Sequence, residues 1–212
     1  MKTVQMHGFL FPLFFVLVVS ACRGTTGGQD RKDQPSEETW HMTDEIQPEA
    51  SPGPEAVEAL LQAAFDGDLS GVKALLNQGM SCNAVDQEGH TALMYAAYNG
   101  HSELVAELIE AGAEVNKRDG MDQTALMYGS TGPFPETVKL LLEHGADPNL
   151  VDSNEHFSAL MHAAAEGNLE VVKLLISAGA DPSLKDADGD DAVVFAVQRG
   201  QTEVVEYLKT VN

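Results

Sequence analysis

The sequence predicts an all-α solenoid of about five helix-turn-helix repeats joined by β-hairpin-like loops and preceded by a disordered tether. Three observations predict it. Gly79, Gly112, Gly145 and Gly179 are spaced by 33, 33 and 34 residues, and Val72, Val105, Val138 and Val172 keep the same step. Self-similarity at such a period is the signature of stacked two-helix units. Within the units, Val105, Leu108 and Ile109, like Val138, Leu141 and Leu142, recur at helical spacing, which gives each second helix one apolar face to bury against its neighbour. From Arg23 to Gly53, in contrast, the chain is rich in Gly, Pro, Ser, Asp and Glu and nearly free of aliphatic residues, so it buries too little surface to offset the entropy of ordering.

The first element is an export signal over residues 1–21. Lys2 is followed by an apolar run from Phe9 to Val19, interrupted by Pro12, which is shorter than the roughly 20 residues a bilayer span requires. Next comes Val19-Ser20-Ala21-Cys22, an aliphatic and two small residues before a cysteine. This resembles the lipobox of bacterial lipoproteins. The resemblance implies that Cys22 is lipidated, becomes the mature N-terminus and anchors the protein on the periplasmic side of a bacterial membrane. With Arg23 rather than Asp after Cys22, it points to the outer membrane. Two or more acyl chains hold a protein firmly where a single chain binds only marginally. The linker over 22–53 then has a mean reach of about 30 Å as a random coil. Trp40 stands alone in it and is assigned no role.

The repeats occupy 54–212, with units at 54–85, 86–118, 119–151, 152–185 and 186–212. The second reads Glu88-Gly89-His90-Thr91-Ala92-Leu93-Met94-Tyr95-Ala96-Ala97, the third Gln123-Thr124-Ala125-Leu126-Met127-Tyr128, and the fourth Ser158-Ala159-Leu160-Met161-His162-Ala163-Ala164. These segments resemble the ankyrin repeat family, whose pattern runs G-x-T-P/A-L, A-A, G-H, V-x-x-L-L and G-A-x-x-N.

Each matched residue has a physical task. Thr91, Thr124 and Ser158 accept a backbone N–H as helix N-caps. Ala96, Ala97, Ala163 and Ala164 let neighbouring helices approach closely, and Gly100, Gly167 and Gly200 end the first helices in a left-handed conformation. Gly112 stops a second helix, and Asn116 and Asn149 are expected to bond their own backbone in the turn that follows. The terminal units depart from the pattern, as caps of a solenoid do: Glu58 stands where Thr belongs, and the last unit reads Asp191-Ala192-Val193-Val194-Phe195. In the third unit, Gly129 to Pro135 replaces the Ala pair and the Gly-His turn, which predicts a short or distorted first helix. One extra residue between Asp152 and Phe157 predicts a longer fourth hairpin tip.

Composition narrows the function. The formal charge is −21, from 12 Lys and Arg against 33 Asp and Glu. Residues 54–212 hold 26 acidic and 8 basic side chains, so the charge belongs to the folded part. Nucleic acid, whose binding requires cations that displace counterions, is disfavoured as a partner. With two cysteines in unlike contexts, no disulfide framework is expected. Cys82 takes the place of Val115, Pro148 and Pro182 in other units, as a buried filler or alternatively a redox-sensing thiol. None of the seven histidines forms a metal-ligand spacing, so neither metal nor cofactor is expected. His101 and His144 read as structural, His162 as part of the core pattern, and Met94, Met127 and Met161 as core stripes. Asp190 and Asp191 read as solvated turn residues, and no catalytic constellation is expected.

The ankyrin resemblance implies a concave face, built from hairpin tips and the ends of the first helices, that docks a protein. On it the resemblance places Phe65 and Tyr98 at helix ends and Met121 and Phe157 at tips, among Asp66, Glu88, Asp122, Glu155, Glu166, Asp188 and Asp190. Apolar anchors in an acidic field suit a basic protein partner, bound by a monomer. Exported ankyrin proteins similar to this one occur as immunity proteins that neutralise toxins, and an ankyrin protein resembling it can act as scaffold for a periplasmic catalase. Both roles are expectations here.

Overall fold

The computed structural model describes residues 53–211. The export signal, Cys22, Trp40 and the tether as far as Pro52 lie outside the described residues. Ten helices follow one another in the described part: α1 (Pro54–Asp66), α2 (Leu69–Asn77), α3 (Ala92–Tyr98), α4 (Ser102–Glu110), α5 (Ala125–Ser130), α6 (Pro135–Glu143), α7 (Ala159–Glu166), α8 (Leu169–Ser177), α9 (Ala192–Gln198) and α10 (Thr202–Val211). They form five pairs. The first members α1, α3, α5, α7 and α9 pack side by side in one layer, while α4, α6, α8 and α10 form the second. Among the described residues, extended pairing is limited to isolated antiparallel bridges between Val85 and Thr91 and between Val151 and Ser158, which close hairpin tips. No described helix is long and apolar enough to cross a membrane.

The first helices begin where a hydroxyl or carboxylate can satisfy their free N–H groups. Thr91 Oγ1 accepts from Met94 N, Thr124 from Met127 N and Ser158 Oγ from Met161 N. The methionines return the favour in α3 and α7, where Met94 and Met161 sulfurs accept from Thr91 N at 3.3 Å and Ser158 N at 3.4 Å. All three methionines are buried, and in α3 and α7 the same side chain both fills the core and completes the cap. Asp191 replaces the hydroxyl cap in α9, accepting from Val193 N and Val194 N at 3.1 Å. It is therefore a cap and not the solvated turn residue expected of it. α1 begins with Pro54 in its first turn and has no side-chain cap at Gly53. Gly100 and Gly167 adopt φ of +71° and +77° after their helices, the left-handed stop their spacing predicted.

The core is a stack of equivalent side chains. Leu60, Leu93, Leu126 and Leu160 are buried in the first layer, and Leu108, Leu141, Leu175 and Leu208 in the second. Ala96, Ala97, Ala163 and Ala164 are fully buried, which fits their role in close helix approach. Cys82 is buried and donates its Sγ–H to the carbonyl of Ala111 at 3.3 Å. Burial pushes its thiol up, which leaves little reactive thiolate and fits a filler better than a sensor.

Asn116 and Asn149 depart from expectation. Asn116 Nδ2 donates to the Gly145 carbonyl at 2.8 Å and its Oδ1 accepts from Asp147 N at 2.9 Å. Asn149 makes the same pair with Gly179 and Asp181, and Asn83 with Gly112 and Glu114. These amides bridge to the next repeat instead of bonding their own turn. The carbonyl after each second helix has no partner within that helix, and the neighbouring amide supplies one.

Candidate protein-binding site

Every hairpin tip is organised by one aspartate. Asp86 Oδ1 accepts from Glu88 N and His90 N, Asp119 from Met121 N and Gln123 N, Asp152 from Glu155 N and Phe157 N, and Asp186 from Asp188 N and Asp190 N. A carboxylate that collects two backbone N–H groups holds the loop in one conformation. The tips are also tied edge to edge: Gly120 N donates to the Glu88 carbonyl, Ser153 N to Met121 and Ala187 N to Glu155, at 2.7, 2.9 and 2.9 Å. Each tip turns through a left-handed residue two positions before the helix cap, Gly89, Asp122, His156 and Gly189, and in the fourth tip the extra residue lies between Asp152 and His156. The result is a row of tips with fixed spacing.

Beneath the tips runs a second row, one residue from each of the four first helices that follow a tip: Tyr95 in α3, Tyr128 in α5, His162 in α7 and Phe195 in α9. All four are half-buried. Tyr95 Oη donates to Asp86 Oδ2 at 3.0 Å and Tyr128 Oη to Asp119 Oδ2 at 2.7 Å. His90 lies between the two acids, with Nδ1 2.9 Å from Asp86 Oδ2 and Nε2 3.7 Å from Asp119 Oδ2. Burial and then the neighbouring carboxylate push both phenols above the ordinary tyrosine range, so they remain donors. Burial alone would raise the Asp86 carboxyl, but the His90 backbone N–H, the His90 ring and the Tyr95 hydroxyl outweigh it and hold it below its usual value. Asp86, Glu88 and His90 place one possible ligand atom each within 4.8 Å of one another. Both Asp86 oxygens are already engaged within the protein, so the group reads as a hydrogen-bonded brace between tip and helix.

Aromatic edges connect these rows into two clusters. Phe65 meets Tyr95, His90 meets Tyr95 and Tyr128, and Tyr98 meets Tyr128, with ring centroids 5.5–6.3 Å apart. Farther along, Phe157 packs edge-on against His162 at 5.7 Å and Phe195 at 5.1 Å. Edge-to-face geometry orders such groups without closing the surface to a ligand.

The sequence-predicted residues fall on this face to different degrees. Tyr98 and Met121 are exposed, at 36 % and 39 %. Phe65 and Phe157 are half-buried walls rather than protruding anchors. Glu88, Glu155, Glu166 and Asp188 are exposed. Asp66 accepts from Gln62 Nε2 at 2.9 Å, Asp190 from Gln198 Nε2 at 3.2 Å, and Asp122, at φ +62°, pairs with Arg118 at 3.6 Å. The structure joins Phe65 and Tyr98 in one aromatic cluster and puts Phe157 in the other. Sequence reasoning missed the tip aspartates 86, 119, 152 and 186 as a set, and the row of Tyr95, Tyr128, His162 and Phe195. Both sets keep the repeat period, which is the signal that would have found them. His162 belongs to this row, with its ring on Phe157 and its Nε2 buried without a partner. His101 is structural as expected, its Nε2 3.0 Å from the Phe65 carbonyl, and His144 Nδ1 lies 2.8 Å from Leu140 O at the end of α6.

The comparisons with known proteins agree with this architecture. The family model for ankyrin repeats in three copies matches residues 60–152 and 134–212. No curated protein matches the chain. With the repeat period, the paired helices and the tip geometry all of one kind, the chain belongs to the ankyrin repeat family, whose repeats are protein–protein interaction modules.

Proposed function

We propose that this protein is a non-enzymatic lipoprotein, anchored through Cys22 on the periplasmic side of the outer membrane, whose ankyrin array binds a basic protein. Within that class the reading we favour is an immunity protein that neutralises a toxin or secreted effector. The observation that carries the binding part is the face itself: ordered aromatic rings, with Tyr98 and Met121 exposed among Glu88, Glu155, Glu166 and Asp188. Aromatic residues supply contact area at low entropic cost, and the carboxylates raise the encounter rate with a cationic partner. The lipobox-like Val19-Ser20-Ala21-Cys22 supports the anchor.

The test is capture of the partner from envelope extracts by the full-length chain, with Tyr98→Ala and Met121→Ala as controls. Both positions are exposed, so the variants keep the fold. Each is expected to lose about fivefold in affinity or more, since truncating a central anchor costs above about 1 kcal/mol. Recovery of a basic effector whose toxicity the protein suppresses supports the immunity role. Recovery of a resident catalase, with oxidant sensitivity of a deletion strain, supports the scaffold role instead. Capture unchanged by both substitutions overturns the proposed face.

A further inference from the structure

The third repeat breaks the pattern of its neighbours at several points that converge. α5 has six residues, against seven or more in the other first helices. Where α3 has Ala96 and Ala97 and α7 has Ala163 and Ala164, α5 has Gly129 and Ser130, both buried. Ser130 Oγ donates back to the Leu126 carbonyl at 2.7 Å, a bond that competes with the helix ladder. Thr137 in α6 stands where α4 has Leu104 and α8 has Val171, at 1 % exposure, and its Oγ1 has no protein partner.

The junctions of the third repeat with its neighbours are equally imperfect. His101 lies over Gly67 and bonds the Phe65 carbonyl, and Gln201 lies over Gly167 and bonds the Ala165 carbonyl at 3.2 Å. At the equivalent positions Phe134 covers Gly100 with no donor to offer, and Asn168, one methylene shorter than Gln201, leaves a buried Nδ2 unpartnered. The buried, unpartnered side-chain atoms of the described residues are those of Thr137, His162 and Asn168. All of them lie in the third and fourth repeats. Each such atom loses its interaction with water without a replacement, and in a solenoid the loss is felt mainly by the unit concerned and its neighbours.

We infer that the array opens first at its third repeat: α5 and α6 form a soft joint that lets the two aromatic clusters of the binding face move relative to each other. The clusters lie on either side of it, with Phe65, Tyr95 and Tyr98 before α5 and Phe157, His162 and Phe195 after α6. Tyr128, on α5 itself, is the ring that the joint carries. This inference stands whatever the partner is. It runs against the default for a uniform array, which frays from its ends because terminal units have one neighbour and is best protected in the middle.

Hydrogen exchange of the full-length chain, resolved by peptide, tests it. Amides of α5 and α6 are expected to exchange at least about tenfold faster than those of α3, α4, α7 and α8. A repaired variant carrying Thr137→Val and Asn168→Gln supplies a methyl for the orphaned hydroxyl and a side chain of Gln201's reach. Neither change removes a packed group, so the variant is expected to fold, to show a higher unfolding midpoint and to bring the third repeat's exchange to the level of its neighbours. A wild-type profile in which α5 and α6 are as protected as the flanking pairs, or a repaired variant with an unchanged profile, overturns the inference.

Discussion

His162 and Asp86 show how burial and hydrogen bonding set the behaviour of single side chains on the binding face. Asp86 gathers two backbone N–H groups, an imidazole and a phenol, and these outweigh the cost of burying its charge. His162 has no such compensation. Burial holds its imidazole below the usual 6.5, against a weaker upward pull from Asp152. A histidine depressed in the folded state is neutral in both states at high pH, and below 6.5 the unfolded chain takes up a proton that the folded chain refuses. Stability is therefore expected to fall as pH drops below 6.5 and to level off once pH passes the folded value. His162→Phe, which copies Phe195 at the equivalent position, removes this contribution. Urea midpoints of the two proteins are expected to diverge between neutral and mildly acidic pH; parallel midpoints would show that His162 titrates alike in both states.

At the scale of elements, the repeat is held by local caps and joined to its neighbours by non-local ones. A Thr or Ser cap closes a helix within its own unit, whereas Asn83, Asn116 and Asn149 reach across about 30 residues to the next. Asn116→Ala removes two such bonds at once. Its side chain is exposed, so water replaces part of the loss, and the expected cost is about 1 kcal/mol. Because Asn116 joins the second repeat to the third, its loss is expected to speed exchange in α6 more than in α9 and α10. Equal effects along the array would mean that the bridge adds nothing to coupling. The helices, their Thr and Ser caps and their buried faces were legible in the sequence, since each depends on residues within one turn or one unit. The destination of the Asn amides was not, because turn chemistry permits a bond to either backbone and only stacking brings the neighbouring carbonyl within reach.

Across the whole molecule, the dominant feature is negative charge: residues 54–212 carry 26 acidic and 8 basic side chains. Ion pairs such as Lys73 with Glu107 and Lys185 with Asp191 engage part of the small basic complement. The remaining carboxylates repel one another, a cost that salt screens. The Debye length shrinks from about 30 Å at about 0.01 M to about 8 Å at about 0.15 M. The thermal midpoint is accordingly expected to rise by on the order of a few degrees over that range, as about 1 kcal/mol moves a domain of this size by that much. Association with a basic partner is expected to slow over the same range. A midpoint independent of salt would show the repulsion to be negligible.

The amino-acid order alone determined that this chain would repeat, where its helices begin and stop, which leucines and methionines lie inside, and that its surface is acidic. Those properties follow from periodicity and cap chemistry, which act over a few residues or recur at a constant step. Only the stacked structure decided that His90 stands between Asp86 and Asp119, that Tyr98 leans on Tyr128, and that the orphaned polar atoms gather in the third and fourth repeats. Such meetings join residues of different units. They are set by the distance and angle at which one repeat packs on the next, and these arise from the fit of whole buried faces rather than from any single residue.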